Sequence, residues 1–308
     1  MSYRPTLRQL EYILALDELR HFGKAARRCN VSQPTLSVQV GLVEKSLGVT
    51  LFERNSTSVI STPLGIEMAR GARLTLATVD DLIDSVVSNT KNLGGQVRLG
   101  TAPTFGPYFL PRFLPGLHRK FPSLKVYIRE DRPSAIEVAV ADGVLDCGLG
   151  PAPERFGLAF RSIGNEKLFL GVPADHRLAA KDTVRTGDLK GEKLLAIGSG
   201  HRLLENVRHL ADVARAVIVD DYEGTSLDSI RQMVSIGMGC SLFPELYARA
   251  EFRAEDDVKL LTFLDWEERR EVGFYWRENS SRAPHYQALV EEALPISSEA
   301  GIHAQHGT

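Results

Sequence analysis

Apolar and polar positions follow two different patterns along the chain, and the change between them falls near Asn92. Before it, apolar residues recur at three- and four-residue steps, the spacing of one face of a helix. The clearest stripes are Leu36, Val40, Val43 and Leu47, and a longer one from Leu64 to Val86. After it, short apolar runs of strand length alternate with helical segments, which is typical of βαβ units and a parallel sheet. The pattern predicts an α+β protein of several domains.

A helix, a tight turn and a second helix are predicted between Phe22 and Leu47. Ser32 can cap the second helix, and Pro34 falls in its first turn, where the missing N–H costs nothing. The N-terminus of that helix offers free N–H groups and partial positive charge to a phosphate. This is the arrangement of a DNA-reading helix-turn-helix, although two short helices joined by a turn also occur in proteins that never bind DNA.

A short hairpin is predicted after the helix-turn-helix, with strands at 49–52 and 59–61 and a polar turn at 53–58. Such a hairpin forms the wing of a winged helix-turn-helix, and Arg54 is the turn's only cation, so we expect it to contact a phosphate. Val38 lacks a charge and can contact a thymine methyl group instead. The residues expected to contact DNA lie on the two helices or in the wing: Arg27, Ser32, Gln33, Pro34, Thr35, Ser37, Val38 and Arg54.

A long helix is predicted from Pro63 to about Asn92, with Thr62 as its N-cap. About thirty helical residues would span roughly 45 Å at ~1.5 Å each. One alternative is a core helix of a single large domain. We favour a dimerisation helix, because no neighbouring element in sequence can cover its apolar stripe and a second copy of the chain can. The pair Gly94-Gly95 is expected to end this helix and to form a hinge.

The remaining chain predicts two α/β lobes that the chain crosses twice, with a cleft between them. The expected boundaries are 1–62 for the winged helix-turn-helix, 63–92 for the linker helix, 93–295 for the two-lobed domain and 296–308 for a disordered tail. Lobe I takes about 96–165 and 266–293, and lobe II takes about 166–265. Ligands of open α/β sheets bind at the carboxyl ends of strands, so we expect an effector in this cleft.

Three loops place hydroxyl, imidazole and guanidinium groups at helix N-termini that we expect to face the cleft. The candidate effector-binding residues in them are Thr101, Thr104, Phe105, Ser199, His201, Arg202, Thr225 and Ser226. Free N–H groups, hydroxyls and a cation together suit a small anion. The alternative is that residues such as Thr104 and Thr225 only cap helices.

Composition excludes several other classes of protein. The 308 residues are 43% hydrophobic, with no run long enough to cross a membrane and no signal-peptide pattern at the start, which predicts a cytoplasmic, nucleoid-associated protein without a membrane partner. Residues 1–60 carry eight Lys and Arg against five Asp and Glu, so the rest carries 29 against 34, which fits one DNA-facing module. No catalytic motif, no metal-ligand spacing and no cofactor motif is present, so we expect no enzyme, no metal and no cofactor.

The order and spacing of residues in the first part of the chain resemble the LysR-type transcriptional regulators. The resemblance rests on Phe22, Ala25-Ala26, Ser32-Gln33-Pro34, Ser37, Gln39, Glu44, Leu47-Gly48, Leu51-Phe52, Arg54, Thr62 and Gly65. It implies a transcription regulator whose two-lobed domain is of the periplasmic-binding-protein (type 2) kind. It also implies double-stranded promoter DNA as a partner, self-association as a dimer of dimers (a homotetramer), a small-molecule effector and contact with RNA polymerase.

The second half resembles the OxyR branch of that family, the peroxide sensors, at 103–108 and 225–234. Arg202 stands where that branch has its first redox cysteine, and Ala211 stands at the second position. An arginine cannot supply the thiolate that peroxide chemistry needs. An alternative left open is a redox-responsive regulator that uses Cys147 and Cys240, although buried cysteines usually act as small hydrophobes.

Arg202 itself carries a separate expectation. A guanidinium buried without a carboxylate partner is costly, so Arg202 should either reach solvent or hold an anion such as a carboxylate.

Overall fold

The computed structural model describes residues 3–54, 59–87, 95–219, 222–253 and 257–302. Its contacts divide the chain into two compact units. Unit 1 contains residues 1–90 with 142–144, and unit 2 contains 91–141 and 145–308. The elements of unit 1 are α1 (Leu7–Leu19), α2 (Phe22–Arg28), α3 (Gln33–Leu47), β1 (Phe52–Arg54), β2 (Val59–Ser61) and α4 (Pro63–Val87).

The helices of unit 1 begin and end where capping residues allow it. Thr6 accepts a hydrogen bond from Gln9 N, and the Gln9 side chain accepts one from Thr6 N, so both free donors at the start of α1 are satisfied. Ser32 accepts from Thr35 N at 3.2 Å and caps α3. At the other end of α3, Gly48 takes a left-handed φ of 69°, the conformation that glycine adopts without steric cost.

A small apolar core joins the helices of unit 1. The predicted stripe on α3 is buried at Leu36, Val40 and Val43, but Leu47 at the helix end is 40% exposed. Glu44 accepts hydrogen bonds from the backbone N–H groups of Leu51 and Phe52, which fixes the wing strand β1 against α3. The prediction of the first wing strand at 49–52 is wrong in its bounds, because pairing with β2 starts at Phe52, opposite Ser61, and β1 covers Phe52–Arg54.

The wing itself is an antiparallel pair in which Phe52 lies opposite Ser61. The turn at residues 55–58 and the side chain of Arg54 lie outside the described part of the chain, so the phosphate contact stays a prediction. Helix α4 has 25 described residues, about 38 Å at ~1.5 Å each. Residues 88–94 lie outside the described part of the chain, so the predicted end of the helix is not tested. Gly95 already belongs to the next strand, β3 (Gly95–Thr101).

The larger strands of unit 2 are β3 (Gly95–Thr101), β4 (Leu124–Glu130), β5 (Cys147–Pro151), β6 (Leu158–Pro173), β10 (Ser241–Pro244), β11 (Val258–Phe263) and β12 (Arg269–Arg277). The short strands are β7 (Thr183–Val184), β8 (Lys193–Leu194) and β9 (Val217–Ile218), and a 3₁₀ turn covers Thr186–Leu189. Most of these strands form one mixed sheet in the order β4-β3-β5-β12-β6-β11-β7, with β10 also paired to β6, while β8 and β9 form a separate parallel pair. The helices are α5 (Gly106–Lys120), α6 (Pro133–Ala141), α7 (Arg202–Ala214), α8 (Leu227–Ser235), α9 (Glu245–Glu251) and α10 (Ala283–Glu299).

Strand β6 is long enough to belong to both lobes. Its residues 158–167 pair with β12, while 168–173 pair with β10 and β11. Separate apolar cores lie on either side of this division. One contains Phe109 and Phe274 beside β3 and β5, and the other contains Leu170 and Phe243. As predicted, β3, β4 and β5 are parallel, whereas the returning strand β12 runs antiparallel to β5.

The prediction of a disordered tail from residue 296 is wrong for residues 296–302, the part of that segment that the structure describes. Helix α10 continues to Glu299 despite Pro295, because its last turn packs into lobe I. Ser297 is 1% exposed and donates a hydrogen bond to Ile163 O at 2.8 Å. Ala300 and Ile302 join the same core.

Candidate functional site

The N-terminal half of α3 presents the residues predicted to contact DNA. Gln33, Pro34, Thr35 and Val38 are exposed, while Leu36 between them is buried. Ser32 Oγ lies 2.7 Å from Thr35 Oγ1, so the cap residue also orients the first polar side chain of the helix. Ser37 is half-buried, and Arg27 is exposed at the end of α2. The helix therefore presents its N-terminus with a mixed polar and apolar surface.

The first loop of the predicted effector site serves mainly to hold lobe I together. Thr101 is fully buried and donates to Leu149 O at 3.0 Å. Phe105 is also fully buried, and its ring stacks on Phe109 with centroids 5.2 Å apart. Both side chains are committed to the core of lobe I, which leaves Thr104 as the candidate from this loop.

Thr104 is bonded to a buried ion pair that is not among the residues predicted from the sequence. Arg270 donates to Thr104 Oγ1 at 2.7 Å and to Thr104 O at 3.1 Å. The same guanidinium donates to Glu166 at 2.6 and 3.1 Å, and the two side chains are 3% and 0% exposed. Glu166 also accepts from Leu246 N at 2.8 Å. This network therefore ties β12, β6 and α9 together at the place where the chain crosses between the lobes.

Arg202, the first residue of α7, is paired with two carboxylates of the protein itself, so its guanidinium is not left without an anionic partner. Its guanidinium donates to Glu137 Oε1 at 2.7 Å and also pairs with Glu154. Glu137 belongs to α6 of lobe I, and its other oxygen accepts from Arg155 N at 3.2 Å. The Arg202 side chain is 19% exposed, and those of Glu137 and Glu154 are 7% and 75% exposed. Lobe II is thus ionically joined to lobe I, with one buried and one exposed partner.

The loop before Arg202 also lies against lobe I. Gly200 O accepts from Ser134 N at 3.4 Å, and Ser199 O accepts from Arg132 at 3.5 Å. Gly200 has a φ of 85°, and a Cβ atom on it would come within 2.6 Å of Ser134 Oγ, so only glycine fits there. Ser199 is exposed, and its backbone N–H donates to Glu223 at 3.0 Å.

His201 is buried at the N-cap position of α7 without capping the helix through its side chain. It is 7% exposed, and its Nδ1 atom has no hydrogen-bond partner. Burial lowers the pKa of His201, and the nearby cations Arg132 and Arg270 lower it further. A neutral imidazole with an unpaired ring nitrogen therefore lies where the two lobes meet.

In the third loop a side chain caps a helix, but it is that of Ser226 and not that of Thr225, the residue named in the capping alternative. Ser226 accepts from Ser229 N at 3.1 Å and caps α8. Thr225 is exposed, and the residue before it, Gly224, bridges to Ile197. Of the candidate effector residues, the structure therefore brings His201, Arg202 and Ser199 to the lobe boundary, and the Thr104 network lies at the strand crossing.

Comparison with known proteins matches both parts of the chain. Residues 7–66 match the bacterial regulatory helix-turn-helix protein, lysR family, and residues 90–295 match the LysR substrate binding domain. The chain belongs to the LysR family of transcription regulators. The predicted fold class and the prediction of a DNA-binding regulator rather than an enzyme are thereby confirmed.

Individual relatives place the chain near OxyR within the family. It is 36% identical to the DNA-binding transcriptional dual regulator OxyR of Escherichia coli (strain K12) over 92% of this chain and 93% of that one. It is 33% identical to the hydrogen peroxide-inducible genes activator of Haemophilus influenzae over 92% and 94%. The structure of a full-length OxyR variant from Pseudomonas aeruginosa, in which an aspartate replaces a cysteine, aligns with a TM-score of 0.81 at 29% identity, over 99% of this chain and all of that one.

The three cysteines are free and buried, unlike reactive thiols in general. Cys147 lies in β5 and is fully buried, which raises its pKa far above the usual range. Burial raises the pKa of Cys240 to about 12, with the charge of Glu192 as a smaller cause. Cys29 lies in the helix-turn-helix core, where burial again raises its pKa. Few of these thiols are ionised at neutral pH.

Four charged residues of this region are not among the site residues predicted from the sequence: Glu137, Glu154, Glu166 and Arg270. Arg270 gave one signal, since it falls on the inward side of a strand whose neighbours Val272 and Phe274 are apolar. No group of His, Cys, Asp and Glu within the described residues could hold a metal ion. None of the described helices is long and apolar enough to cross a membrane.

Proposed function

We propose that this LysR-family regulator binds promoter DNA sequence-specifically through α3 and is controlled by a small anionic effector bound between its lobes. The exposed surface of α3 and the match of residues 7–66 to the lysR helix-turn-helix support the first part. For the DNA contacts we propose Arg27, Gln33, Thr35 and Val38 with the wing residue Arg54, and Ser32, Pro34 and Ser37 complete the set.

The ion pairs of Arg202 are the observation that carries the effector proposal. Glu137 is buried and remains in place, whereas Glu154 is 75% exposed and can be displaced by an incoming anion. His201, the residue before Arg202, offers an unpaired ring nitrogen at the lobe boundary. Replacing one lobe I carboxylate by a ligand changes how lobe II is held. The effector acts only if it binds one arrangement better than the other, because equal affinity shifts nothing.

We also propose that the protein forms a dimer through α4, and that two such dimers associate into a tetramer. Leu64, Leu82 and Ile83 on α4 are 50–60% exposed within the chain. At about 100° per residue they lie within about 100° of one another around the helix, so they form one apolar surface that a second copy can cover. Paired α3 helices would then address half-sites separated by whole turns of DNA. RNA polymerase is the expected partner at the promoter, and the site of action is the nucleoid in the cytoplasm.

The redox alternative has less support. Relatives are named hydrogen peroxide-inducible genes activators, but Cys147 and Cys240 are buried and their pKa values are raised. Arg202 stands where the resemblance to the OxyR branch places the first redox cysteine of the sensors. A response to peroxide through either remaining thiol would require that thiol to become exposed first.

Binding assays on an operator selected from random duplex DNA test the proposal. A thermal-shift screen of the full chain with small carboxylates and oxyanions identifies a probe ligand, and anisotropy with the operator measures its effect. We expect Arg202→Ala to abolish the response while operator binding remains. Arg208→Ala is the matched control, because Arg208 is an exposed arginine on the same helix. Normal response in Arg202→Ala together with loss of response in Cys240→Ser would replace the effector proposal by the thiol alternative.

A further inference from the structure

Helix α3 has an apolar strip on its outward side. A helix turns about 100° per residue, so Val38, two residues from both Leu36 and Val40, lies about 200° around the helix from each of them. Leu36 and Val40 are 0% and 1% exposed, whereas Val38 is 61% exposed. Val38 therefore points directly away from the core of unit 1.

The strip continues along the helix. Leu42, four residues after Val38, is 44% exposed. Gly41 lies beside it, and a Cβ atom added there would meet nothing within 4 Å. The outward side of a surface helix is normally polar, so an isopropyl and an isobutyl group one turn apart need an explanation. The one Lys or Arg within α3 is Lys45, three residues after Leu42.

The family match identifies the surface on which the strip lies. α3 is the second helix of the lysR helix-turn-helix, and the second helix of such motifs enters the major groove with its N-terminal residues against base edges. In that groove the one apolar feature of a base pair is the C5-methyl group of thymine. The strip is continuous with the exposed polar residue Thr35, three residues before Val38 on the same side of the helix, so DNA rather than a protein partner is its occupant.

We propose that Val38 is a specificity-determining residue that selects thymine in each half-site by contact with its C5-methyl group. This inference rests on the proposed sequence-specific DNA binding and adds the chemistry of one contact. Valine offers no hydrogen bond to a base edge, so the contact discriminates only through apolar area. Its contribution to the choice of base is correspondingly modest and is confined to thymine.

Replacing thymine by deoxyuridine tests the contact, because the change removes the methyl group and leaves every hydrogen-bonding atom in place. The operator is selected from random duplex DNA with the full-length protein, and each thymine of the half-site is then replaced in turn. We expect one such replacement to weaken binding about three- to fivefold, the effect of losing one buried methyl contact. In Val38→Ala the same replacement should change affinity less than about 1.5-fold, because the partner group is already missing.

Val213→Ala is the matched control, since Val213 is a 51% exposed valine on α7 of the other unit. It should show the full loss at that thymine. Alanine is a better helix former than valine, so Val38→Ala keeps α3 intact, and an unchanged circular dichroism melt checks this. A half-site without thymine, or a deoxyuridine penalty that persists in Val38→Ala, overturns the inference. The inference is also overturned if Val38→Ala binds DNA as the unchanged protein does but has an altered oligomeric state. Failure to select any operator overturns the proposed function as well.

Discussion

Removing the guanidinium of Arg270 should destabilise unit 2 strongly. Arg270 and Glu166 are 3% and 0% exposed, and they meet at 2.6 Å, so water reaches neither side chain. An Arg270→Met variant keeps much of the apolar stem but leaves a buried carboxylate without its cation. Breaking a buried pair from one side costs about 3–5 kcal/mol, whereas an exposed pair contributes about 0–1 kcal/mol. The loss of both bonds to Thr104 adds to the same change.

Urea unfolding followed by tryptophan fluorescence measures the stability of unit 2, which contains Arg270 and Glu166. The chain has two tryptophans, Trp266 and Trp276, and both lie beside or within β12. Arg269→Met is the matched control, because Arg269 is the exposed neighbour in the same strand, and it should cost less than about 1 kcal/mol.

A second variant separates the charge from the loss of volume. Adding Glu166→Gln to Arg270→Met removes the unpaired charge while keeping an oxygen that accepts from Leu246 N. We expect this to recover about 1–3 kcal/mol of the loss. If Arg270→Met were no less stable than Arg269→Met, or if Glu166→Gln lowered stability further, the buried pair would not hold the strand crossing as described.

Two further predictions concern glycine and histidine. Gly65→Ala should destabilise unit 1 by about 1–3 kcal/mol, because the new Cβ would fall 2.1 Å from Leu51 O. In Gly71→Ala, on the same helix, the new Cβ meets nothing within 4 Å, so this variant should gain about 0.5–1 kcal/mol of stability. Thermal unfolding followed by circular dichroism compares the two variants. For His201, burial lowers the folded-state pKa below its ordinary value of 6.5, so the unfolded chain takes up the proton first. Unit 2 should therefore lose stability as pH falls through 6.5 towards that lower pKa, and His201→Gln should remove this part of the slope while exposed His118→Gln should not. Equal slopes in the two variants would contradict the assignment.

The sequence pattern predicted the local elements of the fold well where capping and periodicity act together. Ser32, Pro34 and the buried stripe of α3 indicated the bounds of that helix, and Thr6 indicated the start of α1. Weaker signals failed for physical reasons. Helix α9 has only seven residues, and α10 passes Pro295 because lobe I packing outweighs the missing hydrogen bond. Neither effect is visible in local composition.

The effector site was harder to predict than the fold, because its key contacts join residues far apart in sequence. Arg202 and Glu137 are 65 residues apart, and Arg270 and Glu166 are 104 apart. Loop position pointed to Arg202 and His201, which lie at the lobe boundary. Loop position could not show that carboxylates already pair with the guanidinium of Arg202. That pairing depends on which helices the sheet order brings together.

Strand β6 and helix α10 also determine the order in which the protein can fold during synthesis. Lobe I begins at β3, but its sheet and core are completed by β12 and α10, after the whole of lobe II has been made. The strands of lobe II, by contrast, have been synthesised once β11 has left the ribosome. Because domains generally fold as their chain emerges, lobe II can fold while lobe I still exposes its apolar surface. A premature stop codon near the end of the gene would therefore remove parts of lobe I, although the first strand of that lobe, β3, is synthesised before lobe II.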